Sequence, residues 1–395
     1  MTPAAEPDGP VELDDLAHLT PDLASLGWDE ELDRWAAGEP GRRAAADPDD
    51  AAVDAEIVPG RLARVSRGFS LVFTGGDALL AASGSTRAAD VGEPATGDFV
   101  LVRVDGDDGP VLSAIAPRRT SLCRRAPGRY PEPQVLAANA DAVLVMHGLD
   151  RDLNLRRIER QLVVAWDSGA RPVVVLTKTD VADRVGPVVE RVAAVAPGVE
   201  VIPVSAADGE GLDRVHALVE NHHAVVMLGL SGIGKSTLVN ALSDGLVQRT
   251  GEVRAADRRG RHTTVTRDLI PLPSGGFVMD TPGIREIGLW QARDGLDRTF
   301  PEIAEAAGGC RFGDCTHDGE PGCEVMAATV VGLILPRRLD HWRELNAEID
   351  LQDTQLTEFA RRAESRQRVD AEEQRDRTRS ARRRNRPGSR RRRRR

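Results

Sequence analysis

The run Gly229-Leu230-Ser231-Gly232-Ile233-Gly234-Lys235-Ser236-Thr237 constrains this chain more than any other stretch. It fills the pattern G-x-x-x-x-G-K-[ST] without a gap. An apolar segment, Ala224 to Leu228, precedes it and reads as a buried strand. Leu238-Val239-Asn240-Ala241-Leu242 follows with helical spacing. Strand, glycine loop and helix in succession turn the pattern into a phosphate site. Glycines let backbone N–H groups curl around a β-phosphate without Cβ clashes, and the helix start adds the positive end of its dipole. Lys235 is expected to reach the β and γ oxygens, and the Ser236 hydroxyl to ligate Mg²⁺. An ordinary strand-to-helix turn would explain the glycines but not the Lys-Ser pair behind them.

A phosphate loop of this kind needs a parallel sheet to seat it. Ala142–His147, Pro172–Leu176, Val199–Val204 and Ala224–Leu228 read as strands, and Leu153–Trp166, Val188–Ala194 and Leu212–Val219 as helices between them. Such alternation predicts a doubly wound α/β sheet that binds ligands at the carboxyl ends of its strands. Thr177-Lys178-Thr179-Asp180 closes one of those strands. A carboxylate at Asp180 can accept from guanine N1–H and from the exocyclic amine, a donor pair adenine lacks. The Lys178 stem can lie across the base face. This tetrad resembles the N-K-x-D element of GTPases, with Thr177 in place of Asn, a departure that bears on loop tethering and spares the guanine-reading carboxylate. Ser205-Ala206 follows the next strand, where an S-A element would offer a backbone N–H to guanine O6.

Downstream, Phe277-Val278-Met279 reads as a strand ending in Asp280-Thr281-Pro282-Gly283, which fits D-x-x-G. Asp280 would hold Mg²⁺ through water and the Gly283 N–H would sense the γ-phosphate. Before it lies Gly260-Arg261-His262-Thr263-Thr264, where Thr264, in preference to Thr263, is the expected Mg²⁺-binding switch threonine. The base-reading elements precede the phosphate loop and the switches come last. A circular permutation produces this order while keeping the sheet and its pocket.

Between Ile57 and Pro117 five short strands punctuated by Gly and Asp turns predict a small β-barrel, an OB-fold. Arg61, Arg64, Arg67 and Arg103, followed by Arg118, Arg119, Arg124, Arg125 and Arg129, are expected to form a phosphate-contacting surface. The alternative is a structural barrel with solvated arginines. Aromatics there are few (Phe69, Phe73 and Phe99), which argues against sequence-specific reading of single strands.

Beyond the switches, Cys310, Cys315, His317 and Cys323 supply three thiolates and one imidazole, a tetrahedral zinc set with no position left for water, so a structural metal is expected. Cys123 is left over. Pro301–Ala307, Cys323–Leu335 and Leu339–Phe359 are the helical candidates of this region. Near the other end, one helix is expected over Leu23–Ala37. The net charge of −9 conceals a split: Arg375 to Arg395 holds thirteen arginines and one aspartate, a local +12 that leaves −21 for the remainder. That tail can contact RNA phosphates or simply be solvated. No apolar run reaches the roughly 18 residues of a membrane span, and acidic Met1–Asp15 does not read as a signal peptide, so a cytoplasmic chain with no membrane partner is expected.

Permuted order, barrel before and cysteine cluster after together resemble the RsgA family (also called YjeQ, YloQ or EngC), the circularly permuted GTPases of small ribosomal subunit biogenesis. The resemblance runs from about Ile57 to Trp342; the family's G-R-H-T-T stands at Gly260–Thr264 and its A-A-N-x-D at Ala137–Asp141. It implies a monomer that hydrolyses GTP to GDP and phosphate. It also implies binding to the 30S ribosomal subunit and 16S rRNA during late maturation, through barrel and zinc domains, with release after hydrolysis. Ile284 occupies the position of the water-orienting Gln of Ras-like GTPases, and the resemblance assigns that role to His262, with Lys235 neutralising phosphoryl charge. Expected boundaries are an acidic extension (1–50), the barrel (51–120), the permuted GTPase domain (121–297), a zinc-knuckle helical domain (298–362) and the Arg-rich tail (363–395). Two rivals remain at this level: a nucleotide-gated RNA-binding module with incidental hydrolysis, which Ile284 favours, and a P-loop ATPase or kinase, against which Asp180 argues.

Overall fold

In the computed structural model, the described residues are 21–38, 56–66, 68–82, 93–104, 109–125, 133–220, 223–243, 268–280, 288–289, 292–358 and 361. Strands β1 (Ile57–Val65), β2 (Phe69–Thr74) and β3 (Asp77–Ala82) form an antiparallel meander; Gly75-Gly76 makes the tight turn between the paired Thr74 and Asp77. β4 (Phe99–Arg103) and β5 (Val111–Ile115) complete the barrel. β3 pairs in parallel with β5, β5 antiparallel with β4, and β4 returns to β1. Closure leaves an interior of Leu62, Val72, Ala81, Val100, Val102 and Leu112. A hairpin of β6 (Ser121–Arg125) and β7 (Pro133–Ala138) follows, which the sequence pattern did not announce.

From β8 (Ala142–Gly148) the chain alternates. It runs through α2 (Leu155–Asp167), β9 (Arg171–Thr177), α3 (Gly186–Ala193), β10 (Glu200–Val204), α4 (Leu212–Val219), β11 (Ala224–Leu228) and α5 (Lys235–Leu242), with α1 (Glu30–Ala37) lying upstream of the barrel. Strand order is β10-β9-β8-β11-β13-β12, where β12 is Asp268–Pro271 and β13 is Phe277–Asp280. All neighbours are parallel except β12 against β13. Both sheet faces are covered, so these strands carry apolar residues at consecutive positions. Val143, Val145, Val174 and Leu176 face Ile158, Leu162 and Val192 of α2 and α3. Leu144, Met146, Val173 and Val175 face Val215, Val219, Leu238 and Leu242 of α4 and α5.

The barrel and the parallel sheet are one eleven-stranded sheet, because β12 also pairs with β1 at Asp268 and Arg64. Arg64 grips Asp268 with two hydrogen bonds, of 2.6 and 3.0 Å. Beyond the sheet come α6 (Arg293–Thr299), α7 (Pro301–Ala307), α8 (Glu324–Val330) and the helix over residues 336–358, here α9. A buried polar seam joins α9 to α2. Arg338 donates to Glu159 at 2.8 Å and to Glu302 at 2.5 Å, and His341 Nδ1 lies 2.5 Å from the other Glu159 oxygen. Arg338 also donates to the carbonyls of Val195 and Thr299. Among the described residues no helix is long and apolar enough to cross a membrane.

Three sequence expectations need correction. The helix expected over Leu23–Ala37 is confined to Glu30–Ala37, because Gly27 is left-handed (φ 86°) and Asp29 caps the helix by accepting from the N–H groups of Glu31 and Leu32. The helix expected over Cys323–Leu335 stops at Val330. Several arginines of the expected phosphate-contacting surface are taken up within the chain: Arg61 is 2% exposed, Arg64 pairs with Asp268, Arg118 with Asp98 and Arg119 with Asp29, while Arg103 is half-buried. Arg124 bonds Gln134. Arg67, Arg129 and the side chain of Arg125 lie outside the described residues, as do most of 1–50 and all of 363–395.

Arg61 is the point where barrel, N-terminal segment and parallel sheet meet. Its guanidinium donates to the carbonyls of Asn139 (2.7 Å), Leu26 (2.9 Å) and Gly97 (3.3 Å). It also lies over the rings of Phe99 and Phe277, at 4.8 and 5.4 Å. Burial pulls its pKa down to about 10, so it stays charged at neutral pH. Arg61→Met strands the carbonyls of Asn139 and Leu26, while Gly97 keeps the Asn139 amide as donor, and is expected to cost about 3–5 kcal/mol. Arg61→Lys is expected to recover little of this, since an ammonium cannot reproduce the planar fork. Chemical denaturation midpoints of the three proteins check both statements; a Met variant as stable as the parent contradicts them.

Candidate nucleotide site and metal knuckle

The phosphate loop leaves β11 at Gly229 and enters α5 at Lys235. A Cβ on Gly229 would lie 2.0 Å from Ile233 Cδ1 and 2.9 Å from the Met146 carbonyl, so only glycine fits. Gly234 caps α5 with a left-handed φ of 98°. Ile233 is buried and anchors the loop, while Ser231, Gly232, Ser236 and Thr237 are exposed. The Lys235 ammonium folds back on its own loop, donating to the carbonyls of Gly229 (2.7 Å) and Leu230 (2.9 Å).

Parallel pairing of β8 with both β9 and β11 sets the Thr177–Asp180 loop beside this one. Thr177 Oγ1 donates to the Ile233 carbonyl at 2.5 Å and approaches the His147 carbonyl at 3.4 Å. Lys178 adopts a left-handed conformation (φ 60°), a strain on the order of 1–2 kcal/mol for a side-chain-bearing residue. Its ammonium offsets this with bonds to the Gly232 carbonyl (2.8 Å) and Asp150 Oδ2 (2.6 Å). Asp180 sits in the 3₁₀ turn Thr179–Val181 with its carboxylate exposed. Buried Ser205 has its hydroxyl 3.1 Å from Asp180 Oδ1 and 3.0 Å from Asp208 Oδ2. One hydroxyl proton can serve only one of these carboxylates at a time. Ala206 is half-buried next to it.

Thr177, Lys178, Thr179, Asp180, Ser205 and the loop Gly229–Thr237 are thus brought to one edge of the sheet. Asp280 ends β13, adjacent to β11. Its side chain, and the whole of His262, Thr264 and Gly283, lie outside the described residues. Asp150 was missed by sequence reasoning. Hydrogen bonds from Lys178 and Arg151 hold its carboxyl down at about 2. The available signal was its place two residues past the end of β8, among the strand ends that line such pockets.

The knuckle is built around the start of α8, where Cys323 is the N-cap and its sulfur accepts from the Met326 N–H at 3.4 Å. The ligand atoms of Cys310, Cys315, His317 and Cys323 all lie within 4.8 Å of one another. His317 Nδ1 is 3.6 Å from both the Cys310 and Cys323 sulfurs. Tetrahedral zinc, with bonds of about 2.3 Å to sulfur and 2.0 Å to nitrogen, spaces an S···N ligand pair by roughly 3.6 Å, so these donors fit the ion. Desolvation within the cluster and the adjacent Cys323 and Cys310 sulfurs push the Cys315 thiol up to about 12, a cost that a cation relieves. His317 is held from behind by Arg343, which donates to its carbonyl, and by the Trp342 ring at 5.3 Å. Cys123 stands apart on β6, and burial raises its thiol pKa.

Residues 115–290 match the family model described as RsgA GTPase. Over 330 residues the chain is 44% identical to the small ribosomal subunit biogenesis GTPase RsgA of Streptomyces coelicolor, covering 82% of this chain and 86% of that protein. To the protein of the same name from Methanosarcina acetivorans it is 42% identical over 261 residues, covering 66% and 71%. Among solved structures, YjeQ from Thermotoga maritima aligns with a TM-score of 0.58 at 24% identity over 74% of this chain and 99% of that one. YloQ, a circularly permuted GTPase, aligns with a TM-score of 0.54 at 24% identity over 75% and 96%. The two structures carry the fold and the sequence relatives the kinship: this chain belongs to the RsgA GTPase family.

Proposed function

We propose that this chain, a GTPase of small ribosomal subunit biogenesis, binds 16S rRNA of the maturing 30S subunit with GTP in place and leaves once the nucleotide is hydrolysed. It works as a cytoplasmic monomer. The observation that carries this reading is the direct bonding of the Thr177–Asp180 loop to the phosphate loop, through Thr177 to Ile233 and Lys178 to Gly232. One nucleotide can then meet a guanine-selecting carboxylate at one end and a cradle of N–H groups at the other. Asp180 reads the base, the stem of Lys178 lies along it, and Ser205 holds Asp180 while the Ala206 N–H faces O6. Backbone groups of Gly229–Thr237 receive the phosphates, and Lys235 turns from its own carbonyls to the β and γ oxygens. Mg²⁺ supplies charge neutralisation on the phosphoryl oxygens when bound with the nucleotide; Ser236, Thr264 and Asp280 are the residues that would hold it. Gly283 senses the γ-phosphate and His262 orients the attacking water.

Single-turnover hydrolysis, measured with and without purified 30S subunits, tests the reading. Subunits are expected to accelerate turnover strongly. His262→Ala is expected to slow the chemical step roughly a hundredfold with little change in GTP affinity. An unstimulated rate supports instead a nucleotide-gated RNA-binding module, and an unaltered His262→Ala rate removes that residue from the mechanism.

Base selection has its own test. Asp180→Asn is expected to lose roughly a hundredfold or more in GTP affinity and to gain affinity for xanthosine triphosphate, whose 2-oxo group suits an amide donor. Competition binding with the two nucleotides reads this, and equal loss for both would refute the assignment.

The Cys310, Cys315, His317 and Cys323 set holds one structural Zn²⁺ in this reading. Elemental analysis is expected to return one zinc per chain. Extraction under reducing conditions should lower the thermal midpoint of unfolding while leaving GTP binding largely intact, because the knuckle lies beyond the nucleotide sheet.

A further inference from the structure

Among the described residues, Arg61, Arg64, Arg118, Arg119 and Arg124 of the barrel region already have partners within the chain, and a second cluster of arginines lies elsewhere. Arg151, Arg156, Arg157, Arg191 and Arg337 converge on one groove of about 570 Å³, and Asp152 is the carboxylate in its lining. Three parts of the fold build it: the loop after β8 with the start of α2, the helix α3, and the start of α9. Arg156 is drawn toward Glu344 at 2.7 Å and Arg151 toward Asp150 at 3.3 Å. Arg157, Arg191 and Arg337 have no ion pair among the described residues.

We propose that this groove binds the phosphodiester backbone of RNA. The proposal rests on the reading of the chain as a small-subunit factor and says where the RNA lies. Guanidinium groups are planar forks that match phosphate oxygens two bonds at a time, and they desolvate more readily than ammonium groups. With Glu344 and Asp150 pairing two of the five, Arg157, Arg191 and Arg337 remain as the cations against Asp152, a net positive site for a polyanion, and the open groove is far larger than a single phosphate requires. Leu153 and Leu155 are its apolar members, and no aromatic side chain lines it among the described residues. Bases therefore have no platform to stack on, and recognition falls to the sugar-phosphate chain, independent of sequence.

The groove also borders the nucleotide pocket. The Arg151 guanidinium comes within 3.9 Å of where a side chain on Gly232 would begin, and Asp150 bonds both Arg151 and Lys178. A phosphate that engages Arg151 competes with Asp150 for it, next to the lysine that grips the phosphate loop.

The test uses the full chain with a triple variant, Arg157→Gln, Arg191→Gln and Arg337→Gln. Affinity for a fluorescein-labelled RNA hairpin is followed by anisotropy across a range of salt concentrations. The variant is expected to bind at least about tenfold more weakly near physiological salt. Its log K against log salt slope should fall by about 2–3, near one unit for each lost phosphate contact. Basal GTP turnover without RNA should match the parent and so report an intact fold, while stimulation by 30S subunits should drop. If the triple variant fails to fold, the three single variants decide, each expected to lower the slope by about one. Parental affinity and slope in the variants overturn the proposal. So does displacement of the hairpin by polyglutamate at equal charge, which would mean that any acidic chain suffices. If the parent binds neither hairpin nor 30S subunits, the small-subunit reading fails along with the groove. If the parent binds and the variants bind equally well, the groove alone is wrong.

Discussion

Everything at the nucleotide edge depends on one register: β8 pairs in parallel with β9 on one side and β11 on the other, so β8 and β9 finish level at Gly148 and Thr177 while β11 stops opposite Val145 and its glycine loop turns in beside them. The loops leaving those ends are then forced together. Thr177 reaches Ile233, Lys178 reaches Gly232 and Asp150, and a Cβ on Gly148 would sit 2.6 Å from Asp150 Oδ1 and push that carboxylate from its place. None of these contacts depends on the order in which the strands occur in the chain. A permuted connectivity therefore costs the pocket nothing, provided the strands keep their neighbours.

What permutation changes is the company the pocket keeps. β12 and β13 come after the phosphate loop, and β12 forms the boundary strand onto which the barrel strand β1 is hydrogen-bonded. The sequence segments expected to sense the γ-phosphate flank these two strands. On the far side, α9 is joined to α2 through Glu159, Arg338 and His341, all buried. Buried ion pairs of this sort are weak sources of net stability, since desolvation cancels most of the attraction, but breaking one partner is expensive. Their effect is to permit one docking geometry and penalise others. Arg61 acts in the same way at the barrel, with its charge met by three carbonyl dipoles and two aromatic faces.

Legibility in the sequence follows how local the determining contacts are. The placement of the loop Gly229–Thr237, the Thr177–Asp180 tetrad and the clustered Cys310, Cys315, His317 and Cys323 was readable because each is a short pattern with its own spacing. The parallel strands were readable because burial on both faces leaves continuous apolar runs. The fate of the arginines was not. Whether Arg64 meets solvent or Asp268 depends on a strand two hundred residues away, and Arg118 and Arg119 are claimed by Asp98 and Asp29 through tertiary contacts alone. The β6–β7 hairpin and β12 escaped for a related reason. They are short, and their pairing partners, not their periodicity, make them strands. Residues 23–29 looked helical by apolar spacing, yet Gly27 and the cap at Asp29 outweighed it.

Threonine at the position of the usual asparagine shows how a departure from a motif can be read once geometry is available. Asparagine brings an amide with two donors and an acceptor, and it can tie several loops at once. Thr177 brings one donor, which it spends on the Ile233 carbonyl. It also stands beside Gly234, where a Cβ would lie 3.6 Å from the Thr177 Cβ and Oγ1. The side chain is 4% exposed and has a single strongly preferred setting once its hydroxyl is engaged. A stiff, buried residue making one short hydrogen bond ties the two loops together. Lys178 adds a second tie in the same loop, its strained backbone held in place by its bonds to Gly232 and Asp150. Thr177 and Lys178 thus share the tethering of the loop that carries Asp180, the group that the proposed reading makes responsible for the choice of base.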